Sequence, residues 1–312
     1  MRRSIQAITT ATLAGALLAF GSGMAVAAPA PAASDVETHS VSAAEAAEAA
    51  TAWSPERMEA AAPADDLVLD QVGQLDPNPA PDGEATTYAG EQPVLLATQV
   101  NPIAHIGKVF FTLGGQDYVC SANSVTSANG STVSTAGHCL NEGPGAFASE
   151  FIFVPAYQNG SAPYGQWPAV ELVAPTQWTN GGDIDYDTGF AVVATQGGRT
   201  LSATVGASGV SFNQSTGLSY TLYGYPAASP FTGETLQRCA GSASPDRLGG
   251  TTSQGVSCDM TGGSSGGPWF VGSGSNGVQN SVNSFGYNSQ PGVMYGPYWG
   301  SVIQSAYQSA QG

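Results

Sequence analysis

From about residue 100 onward the sequence predicts an all-β protein. Three observations point there. The chain of 312 residues carries 41 Gly and 20 Pro with only 10% charged residues. Its second two-thirds consists of short apolar runs broken by Gly, Asn and Ser, the spacing of strands and turns. Only the N-terminal third is Ala-rich, and the long periodic runs that a helical bundle needs are missing from the rest.

The strands follow in order. Ile106 opens the run Gly107-Lys108-Val109-Phe110-Phe111-Thr112-Leu113, then comes a Gly114-Gly115 turn and Tyr118-Val119-Cys120, which reads as a hairpin. Further strands are expected at 151–155, 169–174, 190–194, 219–225, 268–271 and 280–286. Near the C-terminus Trp299, Val302, Ile303 and Tyr307 fall close to one helical face, so a short closing helix over 298–308 is expected.

Ahead of the β-rich part lie two segments of different composition. Arg2 and Arg3, an apolar stretch from Ile5 to Phe20 and the small-x-small run Ala25-Val26-Ala27 have the layout of a secretory signal peptide over residues 1–27. The apolar stretch is interrupted by Thr9-Thr10 and Gly21-Ser22-Gly23 and has no stop-transfer flank, so a secreted, extracellular protein is expected, with no membrane association after signal removal. Residues 28–99 are rich in Ala, Pro and acids. Of the 23 acidic residues, 13 lie between Asp35 and Glu91. Such a composition buries too little to fold alone and is expected to be a disordered spacer or propeptide. The net charge of −16 is concentrated there and excludes a basic nucleic-acid footprint.

Export permits disulfides, and the cysteines are four: Cys120, Cys139, Cys239 and Cys258. Three pairings are possible. The sequential one, Cys120–Cys139 and Cys239–Cys258, is preferred because each pair spans a stretch typical of adjacent strands. Each such loop contributes roughly 3 kcal/mol in the chain-entropy account. The paired spacings of a zinc site do not occur.

Three runs carry chemistry. Gly262-Gly263-Ser264-Ser265-Gly266-Gly267-Pro268 offers a serine between glycines, which permit a sharp turn and an approach of amide N–H groups to a developing oxyanion. Ser134-Thr135-Ala136-Gly137-His138-Cys139 holds a histidine next to a cysteine, at a strand end. His105 is the other histidine of the β-rich part and has no supporting motif. Asp183, Asp185 and Asp187 precede Phe190-Ala191-Val192-Val193, and Asp187, directly ahead of the strand, is best placed to be buried beside an imidazole. A calcium loop would need Gly at 188 and Glu at 194, where the chain has Thr and Ala.

Gly263-x-Ser265-x-Gly267 also fits the nucleophile elbow of α/β-hydrolases, but no histidine follows Ser265, which excludes that order. Acid, histidine, serine would require Asp117 and an alternation of strands and helices that the pattern does not offer. The remaining order is His138, Asp187, Ser265.

At these three motifs the chain resembles the chymotrypsin-like serine peptidases. Ser134–Cys139 matches T-A-[AG]-H-C, Asp187 opens a D-x-[GA]-x-[AV] strand like that of bacterial glutamyl-endopeptidase-like members, and Gly263–Pro268 matches G-[DNSQ]-S-G-[GS]-P. The resemblance runs from about Asn101 to the C-terminus. It implies two antiparallel β-barrels over 100–197 and 198–312, with a changeover near Gly197-Gly198 and the active site in the cleft between them. It implies catalysis by His138, Asp187 and Ser265, an oxyanion hole from the amides of Gly263 and Ser265, and no metal or organic cofactor.

Where many animal members carry Asp before the nucleophile this chain has Ser264, so activation through a pairing at that position is not expected. Asp259, six residues before Ser265, is placed either under an Arg/Lys-binding pocket or in hydrogen bonds that hold the active-site loop. Ser284-Phe285-Gly286 resembles the substrate-binding strand and Gly292 lies in a pocket-wall segment. Glutamate-selective members carry His where this chain has Asn283. The expected protein is a monomeric endopeptidase acting on proteins or peptides. The alternatives are an esterase with the same triad, or a catalytically silent binding or adhesion module.

Overall fold

The computed structural model describes residues 34–65, 67–68, 72, 96–272 and 274–312. The expected signal peptide, and most of 66–95, lie outside the described residues.

Seventeen strands are described: β1 (Val36–Ser40), β2 (Ala62–Pro63), β3 (Thr98–Gln99), β4 (Ile106–Leu113), β5 (Gln116–Val125), β6 (Thr132–Thr135), β7 (Ser149–Pro155), β8 (Trp167–Pro175), β9 (Gly189–Val193), β10 (Gly209–Val210), β11 (Ser219–Gly224), β12 (Gln237–Ser242), β13 (Ser244–Pro245), β14 (Gln254–Ser257), β15 (Pro268–Val271), β16 (Val278–Val282) and β17 (Val293–Gly296). Five labelled helices accompany them: α1 (Ala43–Ala52), α2 (Pro55–Ala60), α3 (Thr176–Gly181), α4 (Leu201–Val205) and α5 (Ser301–Ala310).

Strands β4-β5-β6-β9-β8-β7 form an antiparallel barrel, closed by pairing of β7 with β4. Alternation along β4 explains its interior. Val109, Phe111 and Leu113 point inward with Phe151, Phe153, Trp167, Leu172 and Val193, while Ile106 and Phe110 point out. Those outer residues are buried too, so β4 is covered on both faces rather than on one. The second half places β10-β16-β15-β11-β12-β3 in one sheet and β13-β14-β17 in another, around Leu222, Val256, Trp269 and Met294. Helix α5 buries Ile303, Ala306 and Ala310 against Phe190 and Trp299, which gives the short closing helix its apolar face. Both expected disulfides are formed, Cys120–Cys139 and Cys239–Cys258.

The acidic segment departs from expectation. Over residues 34–65 it carries strands and helices. Strand β1 pairs antiparallel with β8, from Val36 opposite Pro175 to Ser40 opposite Glu171. Helix α1 starts with a capping box between Ser42 and Glu45, and α2 with Ser54 as cap and Pro55 in its first turn. Ala49, Trp53 and Met58 cover the outer face of β4 and β7 together with Phe110 and Ile152. The compositional argument concerns folding alone, and this segment borrows its core from the barrel. At the end of the segment, β3 pairs with β12 of the second half.

Candidate active site

Strand β6 ends at Thr135, and Gly137–Cys139 follow as one 3₁₀ turn that carries His138. The disulfide from Cys139 to Cys120 on β5 ties this turn to the barrel wall. Asp187 closes the 3₁₀ turn Ile184–Tyr186 just before β9, and β9 pairs with β6. Histidine and acid are thus delivered by neighbouring strands. The Asp187 carboxylate accepts from the His138 Nδ1–H (2.8 Å), from the His138 backbone N–H (2.8 Å) and from the Ser284 hydroxyl (2.5 Å). Both His138 and Asp187 are fully buried. Burial alone would lower the imidazole's proton affinity. The charges of Asp187 and Asp65 and the Asp187 hydrogen bond outweigh it and raise the His138 pKa above its ordinary value.

The other two acids are occupied elsewhere. Asp183 caps the 3₁₀ turn, and Asp185 accepts from the Thr252 N–H (2.8 Å) and the Ser253 hydroxyl (3.3 Å). His105 bonds Asn123 (2.7 Å) and packs edge-on to Phe270.

Ser265 stands in a loop held by β5 and by the strand end at Asn283. Ser121 accepts the Tyr225 N–H (2.8 Å) and donates to the Gly263 carbonyl (2.9 Å), while its own N–H bonds the Ser265 carbonyl (2.7 Å). Asn283 bonds the carbonyls of Tyr223 and Ser264 and accepts from Trp269. Gly263 and Gly266 have φ of 90° and 81°, and a Cβ on Gly266 would collide with Thr135 and the Ser121 carbonyl. The repeated glycines therefore serve both turn and close approach.

Ser265 Oγ donates to Asp65 Oδ1 (2.6 Å), and Gly263 N–H donates to Asp65 Oδ2 (2.7 Å). His138 Nε2 is buried without a hydrogen-bond partner among the described residues. No sequence signal distinguishes Asp65 from the other acids of its segment. Asp259 accepts from the Ala97 backbone N–H (2.5 Å). Ser284 and Phe285 bond Tyr295 of β17 through their backbones, Gly286 follows that isolated bridge outside any strand, and the Gly292 carbonyl accepts from Cys258 N–H. Ser264 is buried with its hydroxyl unpartnered among the described residues. Cys120, His138 and Cys139 lie together, but the two sulfurs are joined to each other, so the group offers no thiolate to a metal.

Among solved structures, the chain is similar to the protease Anisep from Arthrobacter nicotinovorans, at 62% identity and TM-score 0.68, over 69% of this chain and 99% of that one. This chain belongs to the chymotrypsin-like serine peptidases. It is also similar to AL20, a thermostable serine protease from an extremophilic microorganism, at 54% identity and TM-score 0.65, over 67% of this chain and 97% of that one. A Glu endopeptidase shares the fold at 20% identity and TM-score 0.55, over 69% of this chain and 96% of that one. No protein-family model and no curated protein matches the chain. As a serine peptidase the protein hydrolyses peptide bonds, and its substrates are peptides.

Proposed function

We propose that the protein is an exported, monomeric endopeptidase in which Ser265 is the nucleophile, His138 the general acid and base, and Asp187 the residue that orients it. The observation that carries this reading is the buried Asp187 carboxylate, bonded to both the backbone N–H and the Nδ1–H of His138. That pair of bonds fixes the tautomer whose Nε2 is free to take a proton. As Ser265 Oγ adds to the scissile carbonyl, its proton passes to His138 Nε2. The oxyanion is received by the amides of Gly263 and Ser265. Collapse expels the amine, which takes the proton from His138 and leaves an acyl-enzyme. A water then gives its proton to His138 and its oxygen to the acyl group, and Ser265 is regenerated.

Within this reading the acidic segment, residues 28–99, is a propeptide removed after export. The match to Anisep supports this, since 69% of this chain spans 99% of that one and leaves room for such a segment. Asp259 holds the end of that segment through Ala97 rather than waiting for a basic substrate side chain. Turnover of a fluorescein-labelled protein by the processed enzyme tests the proposal. Ser265→Ala is expected to abolish it by on the order of 10⁶-fold. Retained turnover in that variant, or none in the wild type, overturns the assignment.

A further inference from the structure

The acidic segment does more than cover the barrel. It enters the cleft beside β5, where Ala62 and Pro63 pair in parallel with Tyr118 and Val119, and the Ala64 N–H bonds the Val119 carbonyl (3.3 Å). Asp65 then reaches Ser265 and Gly263 with one carboxyl oxygen each. Gly262 passes so close to this carboxyl group that a Cβ there would collide with it. Beyond, Val68 and Val72 are buried in one cluster with Trp178, Tyr295 and Phe285, the last from the segment expected to bind substrate.

Three features make this arrangement inhibitory. The group presented to Ser265 is a side-chain carboxyl, so no scissile bond lies at the nucleophile. The Gly263 N–H, needed for the oxyanion, already has an anion-like acceptor. And the Ser265 hydroxyl points its proton at Asp65, leaving His138 Nε2 unpartnered among the described residues.

The segment is also well anchored. The Arg57 guanidinium grips Asp117 through Nε (2.7 Å) and a second nitrogen (2.8 Å), reaches Glu150 (2.5 Å), and stacks 4.0 Å over the Trp53 ring. The Trp53 indole N–H bonds the Glu150 carbonyl (2.8 Å).

We propose that Ser34–Val68 is a tethered inhibitor of this peptidase, docked on the outer face of the first barrel, whose ligand for the nucleophile is the Asp65 carboxyl group. This rests on Ser265 being the nucleophile. Cleavage between this segment and Ala97 would leave it bound at the same surface until it dissociates or is degraded.

The full-length secreted protein, partly processed, is treated briefly with a fluorophosphonate, and labelling is followed separately for the uncleaved and processed bands. The uncleaved wild-type band is expected to label more slowly than the processed band by on the order of tenfold to a hundredfold, the effect of losing hydrogen bonds to a charged group. Asp65→Ala should restore most of the rate. Equal rates for the two wild-type bands, or no gain from Asp65→Ala, overturn the proposal. A second measurement does not depend on activity. In the full-length Ser265→Ala chain, the His138 imidazole is titrated by NMR with Asp65 intact and as Asp65→Asn. Asp187 and Asp65 are the charged groups facing that ring. Losing one is expected to lower the midpoint, and an unmoved midpoint overturns the contact. If no band labels in any form, the nucleophile assignment fails, and the titration alone decides on Asp65.

Discussion

Asp187 accepts three hydrogen bonds in a site with no access to water, which leaves its carboxylate no second arrangement. Asp187→Asn keeps shape and packing but cannot accept at both oxygens, so it favours the wrong imidazole tautomer. Turnover by the processed enzyme is expected to fall about 10⁴-fold with an unchanged circular dichroism spectrum. A loss below tenfold would remove Asp187 from the mechanism. Choosing it from three acids was possible in sequence because an apolar strand follows it directly. Asp259 was legible only as two alternatives. Its carboxylate accepts from the Ala97 N–H, a partner that neither alternative named. Asp259→Ser is therefore expected to leave the P1 profile on a fluorogenic peptide panel unchanged while lowering the melting temperature. Loss of selective Arg/Lys cleavage would restore the pocket reading.

Elements were legible where apolar residues run together and illegible where polar ones do. Strands β4, β7, β8, β9, β11 and β15 announce themselves with Val, Phe, Leu or Tyr. By contrast β6 (Thr-Val-Ser-Thr), β12 (Gln-Arg-Cys-Ala-Gly-Ser) and β14 (Gln-Gly-Val-Ser) are short and rich in small polar residues. Their strand character comes from partners on both sides, which local sequence does not contain. The strand and helices of the acidic segment were illegible for the same reason, since their apolar side chains pack on the barrel.

Strand β4 also carries a buried cation. Lys108 is 2% exposed, 3.9 Å from Glu234 and over the rings of Tyr157 (4.3 Å) and Phe110 (4.9 Å). Burial, only partly offset by Glu234, pushes its pKa down to about 8. In the unfolded chain the same amine holds its proton to about 10.4. Between those values the unfolded state binds more protons, so this residue's contribution to stability improves as pH rises from 8 to 10 and is flat below 8. Urea titrations of wild type and Lys108→Met should show the wild type gaining up to about 3 kcal/mol on the variant across that window. Parallel curves would mean that Lys108 titrates normally.

On the scale of the whole molecule, a polar seam joins the two halves. Asn123 of β5 donates to Ser208 (2.6 Å) and to Gln279 of β16 (2.7 Å), and Ser134 of β6 donates to the same Gln279 oxygen (2.9 Å). All four side chains are buried, so the seam holds the halves in one register by satisfied hydrogen bonds. Ser121 extends it to the Ser265 loop. His138 and Asp187 come from the first barrel and Ser265 from the other half, and the seam ties those halves together. In sequence the seam's residues look like ordinary polar positions in strands. The acidic excess has a place as well, since 13 of the 23 acidic residues lie between Asp35 and Glu91, ahead of the first barrel.

The central claim is that Ser265 is the nucleophile of a working peptidase. Its most direct test is to treat the processed protein with a fluorophosphonate, digest it and locate the adduct by mass spectrometry. A single adduct on Ser265, blocked by prior incubation with a peptide substrate and absent from His138→Ala, is the predicted result. An adduct on another residue, or none, would contradict it.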